Sequence, residues 1–456
     1  MPGDAALAAP ARTPARARET AVGSLAQLRG ASGCLVDRSQ AAGGCRRVRA
    51  LQGPAPFLGS NALAISPDGR NVYVASSRSN AIAVFARNAK TGALTQAAGA
   101  AGCIAAAGAE GCAPARALGA PNSVAVSPDG RSVYATSLAS DAVDVFARDP
   151  STGALTQPAA GGCIANAPTV GCVTGRALSG PDVVSVSPDG ESVYVGAFTG
   201  NAIAVFARNP STGALTQPAD TTGCIVQAPT ANCATGLALG APEGLAVSPD
   251  GKSVYVAAAL SNALDVFARN PTSGALTQAG GGAGCIVDSP LSGCTLGTEL
   301  AGADAVTVSP DGADVYVTSL LSNSLTSFIR TPGTGELAQQ QGTSACVIYL
   351  LAVGCSLGRA FEAPEGLAVS PEGASVYGAA FGTGAIAVLN RSSRSGALIE
   401  KAGSAGCVVS SPTPTCASGR ALKGASSLAV SADGRYLYAA AFTSDAVAVF
   451  KRTAAR

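Results

Sequence analysis

Apolar residues along this chain fall into short runs that repeat four to a unit, separated by turn-forming residues. One unit shows the pattern. Val124–Val126 is a brief apolar stretch, and Ser132-Val133-Tyr134-Ala135 follows it, β-branched and aromatic. Asp141–Phe146 sets Val143 and Val145 against Asp144 and Phe146, and Ala154–Gln157 is the fourth piece. Pro128-Asp129-Gly130 separates the first two pieces and Asp149-Pro150-Ser151-Thr152-Gly153 the last two, which are β-turn signals. The pattern predicts four antiparallel strands per unit, and no stretch carries a helical period.

The unit repeats. Ser-Pro-Asp-Gly begins at Ser66, Ser127, Ser187, Ser248 and Ser309, and recurs as Ser-Pro-Glu-Gly at Ser370 and Ser-Ala-Asp-Gly at Ser431. The spacings are 61, 60, 61, 61, 61 and 61 residues. Four-stranded units at a fixed period predict an all-β, seven-bladed β-propeller. A solenoid, the other repeat architecture, needs atypical capping units at its ends, and none is visible. The ends instead complement one another. The last unit stops after its third strand, Ala446–Phe450, without the Gly-Ala-Leu piece or the cysteine pair. Gly23-Ser24-Leu25-Ala26-Gln27 supplies them, with Leu25 nine residues before Cys34 as Leu215 is before Cys224. The N-terminal segment is therefore expected to complete the C-terminal blade and close a ring over residues 22–452. Residues 1–21, rich in Ala, Pro and Arg, read as a disordered leader without the apolar region of a secretory signal.

Composition narrows the chemistry. The chain has 456 residues and a formal net charge of +2, which gives no reason to expect nucleic acid as a partner. No apolar run of 18 residues predicts a membrane span. Histidine is absent, so Ser-His-Asp, Cys-His and HExxH chemistries are excluded. The 14 cysteines fall in seven pairs, one per unit. They are Cys34 with Cys45, Cys103 with Cys112, Cys163 with Cys172, Cys224 with Cys233, Cys285 with Cys294, Cys346 with Cys355, and Cys407 with Cys416. Each pair lies between the fourth strand of one blade and the first of the next, and bridging within the loop is the simplest connectivity. Two thiolates per loop without histidine cannot fill a tetrahedral metal shell. Disulfides imply an oxidising compartment, so the protein is expected to be secreted or on the cell surface.

Candidate site residues follow from the repeat. Five residues before each motif serine stand Asn61, Asn122, Asp182, Glu243, Asp304, Glu365 and Ser426, all polar at the mouth of an apolar first strand. In a propeller the first strand lines the central channel, so these seven are expected to ring its mouth on the face that carries the cysteine loops. Four residues after the second cysteine stand Arg49, Arg116, Arg176, Arg359 and Arg420, with Leu237 and Thr298 in the remaining units. Arg176 with Asp182 and Arg359 with Glu365 are expected to pair within a blade. Glu243 and Asp304, lacking such an arginine, would leave a negative patch able to take Ca²⁺ or a hydroxyl-rich ligand. Against that stands a structural reading, in which polar strand starts hydrate the backbone and the arginines tie loops. Asn80, Asp141, Asn201, Asn262, Asn323 and Asp445 suit the left-handed turn between strands two and three. The motif aspartates read as turn formers, and Tyr73, Tyr134, Tyr194, Tyr255, Tyr316, Tyr377 and Tyr438 as blade-to-blade packing.

The recurring Ser-Pro-Asp-Gly-x-x-Val-Tyr-Val, followed by Ser-Asn-Ala-x-x-Val-Phe, resembles the seven-bladed lactonase-type propellers and the related YVTN-repeat proteins over residues 23–450. The resemblance implies lactone hydrolysis or cyclisation by His, Arg and Glu at the channel mouth. This chain has no histidine, so that constellation does not carry over whole. The first expectation is accordingly an exported, monomeric, non-catalytic binding or scaffold propeller, without a cofactor, that meets a protein or glycan on its disulfide-loop face. The alternative is a lactonase-family hydrolase or cyclase. In it Glu243 or Asp304 acts as base or ion ligand, and an arginine steadies the developing oxyanion.

Overall fold

The computed structural model describes residues 22–54, 61–349 and 354–454. The expected leader, residues 1–21, lies outside them. Seven sheets follow one another around a ring. Blades 1 to 6 are built from residues 63–115, 121–174, 181–235, 242–296, 303–357 and 364–418. Blade 7 joins residues 425–452 to residues 25–48. Its closing register sets Leu25 opposite Arg452 and Gln27 opposite Phe450, then Cys34 opposite Ala448.

The first three strands of each blade form as the pattern predicts. In blade 2 they are Pro121–Val126, Ser132–Ser137 and Ala142–Arg148. The outer position differs from expectation because two segments share it. Leu155–Thr156 pairs with the end of the third strand and Cys163–Ala165 with its start. Val173–Thr174 then adds alongside Cys163–Ala165 in parallel. Parallel neighbours normally need a crossover of a dozen residues or more. Here the disulfide makes a short return possible. The Cα atoms of Cys163 and Cys172 are 4.8 Å apart, which matches the spacing of adjacent strands. All seven disulfides close within their own loop, six with the same 4.8 Å separation and Cys407–Cys416 with 4.9 Å. The cysteine segments are thus structured sheet edges.

Valines, alanines and one tyrosine per blade fill the interfaces between neighbouring sheets, and the seven tyrosines of the second strands are buried. An arginine that ends the third strand clamps each interface. Arg148 of blade 2 donates to the Tyr73 hydroxyl (2.7 Å) and to Asp68 (2.9 Å) of blade 1, and to the Gly130 carbonyl of its own turn (2.9 Å). Tyr73 in turn donates to the Gly153 carbonyl of blade 2. The same contacts recur at Arg208, Arg269, Arg330 and Arg391. At the closure, Arg452 meets Tyr377 and Glu372, and Arg87 meets Tyr438 and Asp433, so the circuit of clamps has no gap. The motif aspartates therefore do more than form turns. Asp68 accepts from the Ser66 hydroxyl and the Arg70 amide within its turn while it pairs with Arg148.

Candidate functional site

The seven ring positions sit at the start of the innermost strands, and the backbone there is bulged. In blade 3 the ladder passes from Pro181 opposite Ala197 to Val183 opposite Gly196, so Asp182 opposes no residue. The same register shift occurs at Asn122, Glu243, Asp304, Glu365 and Ser426. A β-bulge re-aims the extra side chain and commonly does so beside functional sites. The first blade is the exception, since its inner strand begins only at Leu63 and Asn61 is exposed. The other six ring residues are buried. Glycine follows the ring residue in blades 4 and 6. A Cβ at Gly244 would stand 2.2 Å from the Asp304 carbonyl oxygen, and one at Gly366 would stand 2.4 Å from that of Ser426. Gly244 lets the inner strands of blades 4 and 5 approach closely, which brings Glu243 towards Asp304, and Gly366 does the same for the strands of Glu365 and Ser426.

Asp182, Glu243, Asp304 and Glu365 lie near enough to repel one another electrostatically. Asn122 joins them, its Nδ2 donating to Asp182 Oδ1 at 2.5 Å. The Asp182 Oδ2 atom and both carboxylate oxygens of Asp304 are buried without a hydrogen-bond partner among the described residues. A buried acid in that state favours its proton. Burial pushes Asp182 up to about 7, against the hydrogen bond from Asn122. Burial, with the charges of Asp182 and Glu365, pushes Glu243 up to about 9. Asp304 rises well above the carboxylate range through burial and then through Glu243, Glu365 and Asp182. Among the described residues no three His, Cys, Asp or Glu side chains are disposed to hold a metal ion.

The arginine expectation is corrected. Arg176 does not pair with Asp182, nor Arg359 with Glu365. Arg176 donates to the Pro218, Ala219 and Asp220 carbonyls of the next blade (2.6, 3.0 and 3.1 Å). Arg359 reaches Glu400 and the Lys401, Gly403 and Thr415 carbonyls. Arg49 holds the Ala97, Gly99, Glu110 and Gly111 carbonyls, Arg116 those of Pro158 and Ala159, and Arg420 that of Gly30. All five embrace the disulfide segment of the following blade, away from the channel. The glutamine of the fourth strand meets the same backbone, as Gln217 does when it accepts from the Arg176 amide at 2.8 Å.

The turn residues Asn80, Asp141, Asn201, Asn262, Asn323 and Asp445 adopt φ between 46 and 52°. They also accept from the chain entering the next blade, as Asn80 Oδ1 does from the Ala120 amide at 2.7 Å. The sequence reading missed the seven clamp arginines. Their signal is an arginine two residues after the last aromatic or leucine of every third strand, as in Phe85-Ala86-Arg87 and Leu389-Asn390-Arg391.

Comparison with known proteins agrees with the repeat. The family model described as lactonase, 7-bladed beta-propeller, matches residues 179–292, the part of the ring that holds Asp182 and Glu243. The chain is similar to the periplasmic gluconolactonase of Pseudomonas aeruginosa (19% identity, TM-score 0.54), with 88% of this chain and 96% of that one covered. It is also similar to a Bacteroides uniformis protein provisionally named a 6-phosphogluconolactonase (21%, TM-score 0.51, 74% and 82% covered). Kuenenia stuttgartiensis hydrazine synthase is a further neighbour (20%, TM-score 0.53, 88% and 97% covered). Such distant likenesses establish the propeller fold and leave the chemistry to the site. No curated protein matches the sequence.

Proposed function

We propose that this chain, which resembles the seven-bladed lactonase-type propellers, is an exported hydrolase that opens a lactone ring at the channel carboxylates. One observation carries the reading. Four acids converge at equivalent inner-strand positions of neighbouring blades, and Asp182 and Asp304 bury carboxylate oxygens without a hydrogen-bond partner among the described residues, an arrangement that costs stability and gives the scaffold nothing in return. A lactone-type family model over Asp182 and Glu243, and neighbours named as lactonases, agree with it.

The chemistry assigns different roles to acids of different environment. Asp182, at about 7, is partly ionised near neutral pH. Asn122 fixes its Oδ1, and Oδ2 is left to take a proton from water, the task of a general base. The oxygen of that water attacks the lactone carbonyl carbon. Glu243 and Asp304 keep their protons at the same pH, and a neutral carboxyl can donate a hydrogen bond to the oxyanion that develops. This replaces the arginine, which the fold uses elsewhere. When the ring C–O bond breaks, the leaving alkoxide takes a proton from one of the carboxyls, and the product is a hydroxy acid.

The test is turnover of five- and six-membered sugar lactones, with spontaneous hydrolysis subtracted. Asp182→Asn is expected to lower kcat at least 100-fold, within the range general-base catalysis supplies. Asp304→Asn, which can still donate, is expected to lose less. Wild-type protein that does not exceed the spontaneous rate, or an Asp182→Asn variant that keeps full turnover, would remove the proposal and leave the binding-scaffold reading.

A further inference from the structure

In a chain whose units repeat so closely, a local departure from the repeat is informative, and the first disulfide loop departs in one direction only. Arg46 and Arg47 follow Cys45, where the other six units carry Ala-Pro, Val-Thr, Ala-Thr, Thr-Leu, Ser-Leu and Ala-Ser. Arg38 stands four residues after Cys34, where the other units carry alanine, serine or leucine. This loop is also the longest, with its cysteines eleven residues apart rather than nine.

The structure gathers these residues. Arg38, Arg46, Arg47 and Arg49, with Val48, Gln96, Ala97 and Ala98, line an open cleft of about 380 Å³ between blades 7 and 1. Arg49 is fixed in place by four backbone carbonyls, which satisfy its donors without cancelling its charge. Arg38 pairs with Glu110 at 3.2 Å, the one carboxylate in an ion pair with these four arginines among the described residues. Arg46 and Arg47 are exposed and make no ion pair among the described residues. Four guanidinium groups thus meet one carboxylate. The planar fork of arginine matches the oxygens of phosphate, sulfate or carboxylate.

We propose that this cleft is a binding site for an oxyanion group, distinct from the channel. Arg46–Val48 is the outermost strand of blade 7, four strand spacings from the inner strand that carries Ser426, or about 19 Å. The oxyanion is either a small ion or a group borne on a polysaccharide, and the test separates the two. Inorganic phosphate is titrated calorimetrically, and retention on immobilised heparin, a sulfated polysaccharide, is measured against salt. Both are run on the wild type, on the Arg46→Ala/Arg47→Ala variant, and on an Arg70→Ala/Arg131→Ala control that removes two exposed arginines from turns of the opposite face. The fold of each variant is checked by its thermal transition. Phosphate affinity that falls at least tenfold only in the first variant supports the site with a small ligand. Heparin retention lost only in the first variant supports it with a polymer. Equal loss in both variants, or no binding of either probe by wild type, overturns it.

Discussion

The channel acids make stability depend on pH in an unusual direction. Asp182 titrates at about 7 in the fold, against 3.8 for an unperturbed side chain, and burial is the main cause. Between those values an unfolded chain has lost the proton that the folded chain keeps. Stability from this group is therefore complete below about pH 4 and declines as pH rises to 7. The interval is roughly three units at about 1.4 kcal/mol each, or about 4 kcal/mol. Glu243 and Asp304 extend the decline to higher pH. Asp144, buried in blade 2 and also held at about 7, adds to the same window. The clamp aspartates act oppositely. In Asp68 burial raises the pKa, but hydrogen bonds from Ser66, the Arg70 amide and Arg148 outweigh it and leave the group below its ordinary value. That contribution is present above the unfolded pKa and is lost as pH falls through the folded one. Maximum stability is thus expected between the two windows, at about pH 4–5. Urea midpoints and slopes at pH 4.5, 6, 7 and 8 provide the measurement. Asp182→Asn, which can still accept the Asn122 hydrogen bond, should flatten the decline between pH 4.5 and 7 by up to about 1.4 kcal/mol per unit. Stability that is level or rising over that interval in the wild type, or an identical slope in Asp182→Asn, would refute the reasoning.

Two other perturbations test the frame. Arg148→Met removes a buried guanidinium and leaves the Gly130 carbonyl and Asn71 Oδ1 without their donor. Asp68 is a third exposed, which discounts the ion pair, so the expected loss is about 3 kcal/mol by chemical denaturation. A loss under 0.5 kcal/mol would show that the clamps are incidental. Replacing both Cys34 and Cys45 with serine frees an eleven-residue loop and should cost about 2–3 kcal/mol. Hydrogen exchange should rise first in Cys34–Asp37 and in Ala446–Arg452, which it pairs with, and protection left unchanged there would contradict the closing role of that segment.

Much of the frame was legible because a period makes each unit a copy of the next. The motif spacing located the inner three strands, the complementary termini pointed to the Leu25–Arg452 pairing, and one cysteine pair per unit gave the bridges. The period also set Asp182, Glu243, Asp304 and Glu365 at equivalent positions of neighbouring blades, where their carboxyls act on one another electrostatically. What stayed hidden involves the backbone. The acceptors of Arg176 are carbonyls 42 to 44 residues downstream, and a carbonyl leaves no mark in a sequence. A carboxylate six residues away looked like the natural partner. The bulge at Asp182 was equally invisible, since it is a register shift between two strands of ordinary composition. Thr174 and its equivalents were read as loop because the staple, more than local propensity, lays them beside the sheet.

The bulge also bears on how such a molecule can change. A side chain that faces no cross-strand neighbour can be exchanged with little disturbance to the ladder on either side of it. Asn, Asp, Glu and Ser already occupy that seat in different wedges of this one chain. Mutation can retune that seat one blade at a time while the surrounding wheel keeps its shape, so a single architecture can vary its inner surface without first relearning how to fold.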